Sequence, residues 1–150
     1  MALKIPPPLI VLFAALMMWL TPLLGSWGQF AGSWQKPMAL LLLAAGMVLF
    51  VGAVAVMLRA RTTINPMHPD QCSALVTRGV FGLSRNPIYL ADLLLLSAWW
   101  LWLGYWPNIL WLVFFVLYLN VFQIEPEEKA LRQAFGETYL RYCRRVRRWI

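Results

Sequence analysis

The stretch SRNPIYLADLLLL, Ser84 to Leu96, sets Arg85, Asn86, Tyr89 and Asp92 directly against a long apolar run. An unpaired neutral polar group facing hydrocarbon costs roughly 2 to 7 kcal/mol, and a carboxylate costs more, so this cluster either sits at an interface or binds something. Gln123, Glu127 and Glu128 stand together at the far end of the following apolar run. Tyrosine, amide and carboxylate side chains offer both donors and acceptors, which suits a pocket for a polar ligand. Metal chemistry is not expected, because Cys72 and Cys143 are spaced like no metal motif and His68 alone completes none. The chain also lacks a Gly-x-Gly-x-x-Gly, so the soluble nucleotide-binding fold is not in play.

The elements that must position these residues follow from composition. Of 150 residues, 61% are hydrophobic and only 13% are charged, with a mean hydropathy of +0.65. That is too apolar for an ordinary soluble domain and reads as an integral membrane protein. Charge-free stretches predict four transmembrane helices, near Pro8 to Leu24, Met38 to Leu58, Pro87 to Leu103 and Asn108 to Ile124. The first reads as a retained span rather than a signal peptide, given a lone Lys4, a Pro-Pro-Pro entry and no small-residue cleavage site. The expected fold is therefore all-α: a polytopic membrane protein, one domain over residues 1–150, with a long loop over 62–86 and a cytoplasmic tail over 125–150.

Gly104, Pro107 and Asn108 cut the last apolar stretch into a tight hairpin, which makes the third and fourth helices antiparallel neighbours. The start of one then lies beside the end of the other. Arg85, Asn86, Tyr89, Gln123, Glu127 and Glu128 thereby share one region, as the wall of a pocket. Asn86 stands in the N-cap position before Pro87, and Tyr89 projects from the first turn. The tail reads as an amphipathic interfacial helix, because Leu131, Phe135, Tyr139, Tyr142 and Val146 recur at steps of three or four. That stripe is expected to lie on the membrane. Glu127 and Glu128 have a bland alternative, since acidic residues in a first helical turn favour the helix N-terminus.

Charge sets the orientation. Twelve basic residues, Lys4, Arg59, Arg61, Arg78, Arg85, Lys129, Arg132, Arg141, Arg144, Arg145, Arg147 and Arg148, fall on one side of the predicted spans, and only Lys36 falls opposite. The positive-inside rule makes that side, with both termini, cytoplasmic, and the simple topology suits a bacterial inner membrane. The net charge of +7 lies beside spans and among tail aromatics, so anionic membrane lipids, not nucleic acid, are the expected partners. A disulfide is not expected on this side. Trp27, Trp34, Trp99, Trp100, Trp102 and Trp106 read as headgroup-level anchors rather than an aromatic ligand cage. Ala44, Ala45, Gly46, Gly52, Ala53 and Ala55 read as a close-packing surface, and Arg85 as a phosphate anchor.

Two segments, SALVTRGVFGLSRNPIYL and EEKALRQAFGETYLRYCRRVRRWI, together resemble the C-terminal core of the isoprenylcysteine carboxyl methyltransferase family, which is similar in turn to the phospholipid N-methyltransferases. The resemblance runs from Thr62 onward. It implies a membrane enzyme that binds S-adenosylmethionine in a cytoplasmic pocket closed by the tail and takes a lipophilic small-molecule or lipid acceptor from the bilayer. The implied cofactor contacts are Ser73, Ala74, Leu75, Val76, Phe81, Asn86, Pro87, Ile88, Tyr89 and Glu127, and the implied substrate side is Gln123 and Glu128. No catalytic residue is implied, because a methyl sulfonium is already electrophilic and the protein mainly aligns donor and acceptor. Asn86 replaces the family's histidine and Phe81 its tyrosine. Gln123 stands where the prenylcysteine enzymes hold the substrate carboxylate with arginine, so a carboxylate acceptor is disfavoured, unless Arg132, about one turn beyond Glu128, reaches back as a substitute. Two competing readings are a non-catalytic four-helix subunit and a nicotinamide-dependent reductase core.

Overall fold

The computed structural model describes residues 5–25, 27–60 and 75–150. Lys4, Arg61, His68, Cys72, Ser73 and Ala74, named above, lie outside the described residues. Five α-helices account for most of the rest: α1 Pro7–Leu20, α2 Gln35–Arg59, α3 Pro87–Leu103, α4 Ile109–Leu119 and α5 Glu125–Arg145. No strand occurs among the described residues. Proline opens α1 and α3, where its missing N–H costs nothing and its fixed φ suits the helix. A 3₁₀ turn carries α1 on to Leu24.

Pro7–Leu24, Gln35–Arg59 and a stretch within Trp106–Arg145 are long and apolar enough to cross a membrane. Pro87–Leu103 is as apolar but has only 17 residues. The surface agrees with that reading. Leu12, Leu41, Val48, Leu110 and Leu117 are exposed, whereas Gln35, Ser84, Asn108 and Gln123 are buried. An apolar exterior this extensive is foreign to a soluble monomer and is what lipid solvates.

Helix α3 is the centre of the bundle. On one side Gly46 of α2 lets the helices approach so closely that an added Cβ would stand 3.0 Å from Leu95 and 3.2 Å from the Ala91 carbonyl. Ala39, Gly46 and Ala53, seven residues apart, form this seam. Ala44 and Ala45, expected to share it, face outward instead, because they lie off the heptad stripe. On the other sides α1 and α4 enclose a core of Ile10, Met18, Tyr89, Leu96, Phe115, Leu119 and Ile124.

Polar ties fix the directions. The Gln35 side-chain amide donates to the Leu101 carbonyl, so the start of α2 meets the end of α3. Trp99 donates to the Ala15 carbonyl at 3.2 Å, and Asn108 to the Met18 carbonyl at 2.9 Å. The turn between α3 and α4 needs Gly104, whose φ of 61° is left-handed and whose space is closed by Phe30 and Gln35. Consecutive helices therefore alternate in direction. The tryptophans divide: Trp27, Trp34, Trp102 and Trp106 are exposed, while the indole N–H groups of Trp99 and Trp100 bond inside the protein. Trp99 thus ties α3 to α1 and Trp100 closes the turn after α3, contrary to the anchor reading.

The expected break between last span and tail is absent. Helix α4 runs through a widened π turn, Asn120–Ile124, straight into α5. Pro126 explains the widening: a proline inside a helix removes one N–H and presses on the carbonyl four residues back, and an extra residue in the turn relieves both. The next bend is at Gly136, with φ 51° and ψ −126°.

Candidate active site

Tyr89, in the first turn of α3, donates its hydroxyl to Glu127 Oε1 at 2.6 Å. Gln123, in the π turn, donates Nε2 to the same oxygen at 2.8 Å. The hairpin thus brings the two polar clusters together as the sequence implied. Because α4 and α5 are continuous, Glu127 and Glu128 face no free helix N–H groups, which removes the helix-terminus alternative. Withdrawal from water pushes the Glu127 carboxyl up to about 7, against the opposing pull of the Tyr89 and Gln123 hydrogen bonds and with a push from the Glu128 charge. Glu127 Oε2 accepts no hydrogen bond among the described residues.

Glu128 is occupied differently. Arg85 Nη2 donates to its Oε1 at 2.8 Å, and Arg148 donates Nη2 to Oε2 at 2.8 Å and Nε to Oε1 at 3.2 Å. Arg85 is therefore paired, not a headgroup anchor, and its buried Nε has no partner. Beyond α5 the backbone becomes extended at Val146. The segment Val146–Ile150 then crosses the start of α3: Arg85 N donates to the Arg147 carbonyl at 3.0 Å, and Asn86 Nδ2 and Ser84 Oγ donate to that of Arg148 at 2.9 and 3.2 Å. Asn86 holds the N-cap position of α3, yet its side chain makes no capping bond, because it serves this crossing segment.

The remaining positions named from the sequence fall as follows. Pro87 is buried at the first turn of α3 and Ile88 packs on the core. Leu75 packs against Tyr139, Tyr142 and Val146 with Leu131, Phe135 and Cys143 around them. The tail stripe expected on the membrane is thus closed on the loop. Tyr142 tightens that contact by donating its hydroxyl to the Phe81 carbonyl at 2.6 Å. Val76 and Phe81 are half-buried beside it. The sequence assigns no site role to Ser84, Asn120, Arg148 or Trp149, Arg148 counting there only among the basic residues. Asn120 carried a signal all the same, being a polar residue inside an apolar helix; the extended segment had none, since it has no period.

Residues 34–138 match the family described as phospholipid methyltransferase. The chain belongs to the phospholipid methyltransferase family. It is an integral membrane methyltransferase by that membership and by its apolar helices. The chain is also 48% identical over 65 residues to an uncharacterized protein of Haemophilus influenzae, a match covering 42% of this chain and all of that protein. No solved structure matches. In this phospholipid methyltransferase family member the matched region includes Gln123, Glu127, Glu128 and the start of α3, but not Val146–Ile150.

Proposed function

We propose that the chain transfers a methyl group from S-adenosylmethionine to a lipophilic acceptor presenting an amine, thiol or hydroxyl at the cytoplasmic face. The unused hydrogen-bonding groups suit that cofactor. Glu127 Oε2 is an acceptor for ammonium or ribose hydroxyls, and Arg85 Nε is an orphaned donor for a carboxylate. The half-buried ring of Phe81 offers a stacking face for adenine, and Leu75 and Val76 lie on the same loop. Bound there, the cofactor supplies an electrophilic methyl sulfonium. The chain's residues then align the two reactants and exclude water.

The observation that carries the acceptor class is the state of the cations. The arginines nearest the cluster, Arg85 and Arg148, are both engaged by Glu128, and Gln123 is a neutral amide bound to Glu127. With Arg85 Nε given to the cofactor carboxylate, none of the three would offer a cationic donor to a second carboxylate, so the site favours neutral or cationic acceptors. We further propose four spans, α1 to α4, both termini in the cytoplasm of a bacterial inner membrane, and an interfacial α5. Its exposed Arg132, Arg141, Arg144 and Arg145 suit anionic headgroups.

Methyl transfer from labelled S-adenosylmethionine tests this reading. Product from a membrane lipid extract is expected, with little from a farnesylcysteine analogue. Efficient esterification of the farnesylcysteine alone would restore the carboxylate class. Stabilisation by NADPH instead of S-adenosylmethionine would move the chain to the reductase reading, since a ligand at 100 times its Kd adds about 2.7 kcal/mol.

A further inference from the structure

The widened turn Asn120–Ile124 has two registers open to it. In the register adopted, Glu125 N–H donates to the Asn120 carbonyl five residues back. Tightening to an α turn would shift that bond by one residue and rotate everything beyond it by about 100° relative to α4. Glu127 lies beyond the turn and Gln123 within it. Their convergence with Tyr89 therefore exists in one register only.

Pro126 favours the wide turn without fixing how α5 is aimed. A side-chain bridge does fix it. Asn120 Oδ1, at the head of the turn, accepts from Trp149 Nε1 at 3.1 Å and from Arg148 Nη1 at 3.5 Å. The same Arg148 guanidinium holds both oxygens of Glu128, just past the turn. One cation thus spans the turn from its first residue to four residues past its last, and the crossing segment that carries it is pinned on Ser84 and Asn86 at the start of α3.

We propose that Asn120 and Arg148 are positioning residues: together with Glu128 they staple the π turn in the register that presents Gln123 and Glu127 to Tyr89. Neither bonds to the Tyr89, Gln123 and Glu127 cluster itself. Glu128, on this view, is a staple partner and not a substrate contact. The inference rests on the Glu127 cluster being the cofactor site, but the staple has consequences that do not involve the cofactor.

The test uses the full chain in lipid nanodiscs. Asn120→Leu removes the acceptor and suits an apolar helix, so folding is not threatened; Asn120→Asp keeps the acceptor. Amide exchange over residues 121–128 is read without ligand, and S-adenosylmethionine affinity, KM and kcat with it. Asn120→Leu should exchange faster over 121–128 and bind the cofactor about tenfold more weakly, a change of about 1.4 kcal/mol. Its KM for the cofactor should rise more than kcat falls. Asn120→Asp should restore both readouts, and Trp149→Phe should fall between. A folded Asn120→Leu protein with wild-type exchange over 121–128 overturns the staple. Absence of S-adenosylmethionine binding in the wild-type chain overturns the cofactor reading instead, and the exchange result then decides the staple alone.

Discussion

Glu127 works with one oxygen already committed. Tyr89 and Gln123 both spend donors on Oε1, which orients the carboxylate, and among the described residues no donor meets Oε2. A carboxyl lifted to about 7 is half protonated near neutral pH. Only the ionised form makes a charge-assisted bond to an ammonium or hydroxyl, so cofactor affinity should be full above about pH 7 and decline as pH falls through it. The unliganded fold should move the other way. The folded carboxyl binds its proton more tightly than the unfolded one, so its contribution to stability is greatest below the unfolded value and declines as pH rises toward about 7. Glu127→Gln should weaken cofactor binding by roughly 1.5 to 3 kcal/mol and flatten the pH dependence. Calorimetry at several pH values checks both; an unchanged slope in the folded variant would remove Glu127 from the site.

Helix α5 depends on its bend. At Gly136 the φ of 51° with ψ of −126° is a conformation that side chains strongly resist, while no atom lies within 4 Å of an added Cβ. Gly136→Ala therefore isolates backbone strain, which is on the order of 1 to 3 kcal/mol. A lower Tm is expected, together with weaker protection of Leu75 to Phe81, because the bend delivers Tyr139 and Tyr142 to that segment. An unshifted Tm would mean that the helix straightens freely. The elements themselves were largely legible: charge-free runs gave the apolar helices, Pro87 and Gly104 marked the ends of α3, and the hairpin brought Tyr89 to Glu127. The tail stripe was legible as a face but not in its destination, because periodicity says which residues point together and not what they meet. The π turn and the crossing segment were hidden for another reason. Pro126 favours a widened turn without marking where it falls, and the contacts that both make, Asn120 with Trp149 and Asn86 with Arg148, join residues distant in sequence that no local pattern encodes.

For the whole molecule, the alternation of helix directions sets the start of α1 and the end of α4 at one end of the bundle, the end that the proposed topology puts in the cytoplasm. A reporter active only outside the cytoplasm, fused after Ile150, should stay silent; Ile150 is 78% exposed, so a fusion meets no packed surface there. Strong activity from the fusion would reverse the orientation. The central helix carries one more consequence. With 17 residues, α3 is ~26 Å long at ~1.5 Å per residue, against a hydrocarbon core of ~30 Å, while α2 with 25 residues reaches ~38 Å. On the proposed topology, helices so unequal do not suit one bilayer thickness: α2 leans, and the membrane thins around the bundle toward the ends of the enclosed α3. The thinned annulus carries lipid headgroups inward, toward the depth of Tyr89 and Glu127. Under the proposed function, a headgroup acceptor would then reach the site by deformation of the membrane, without being lifted out of its leaflet.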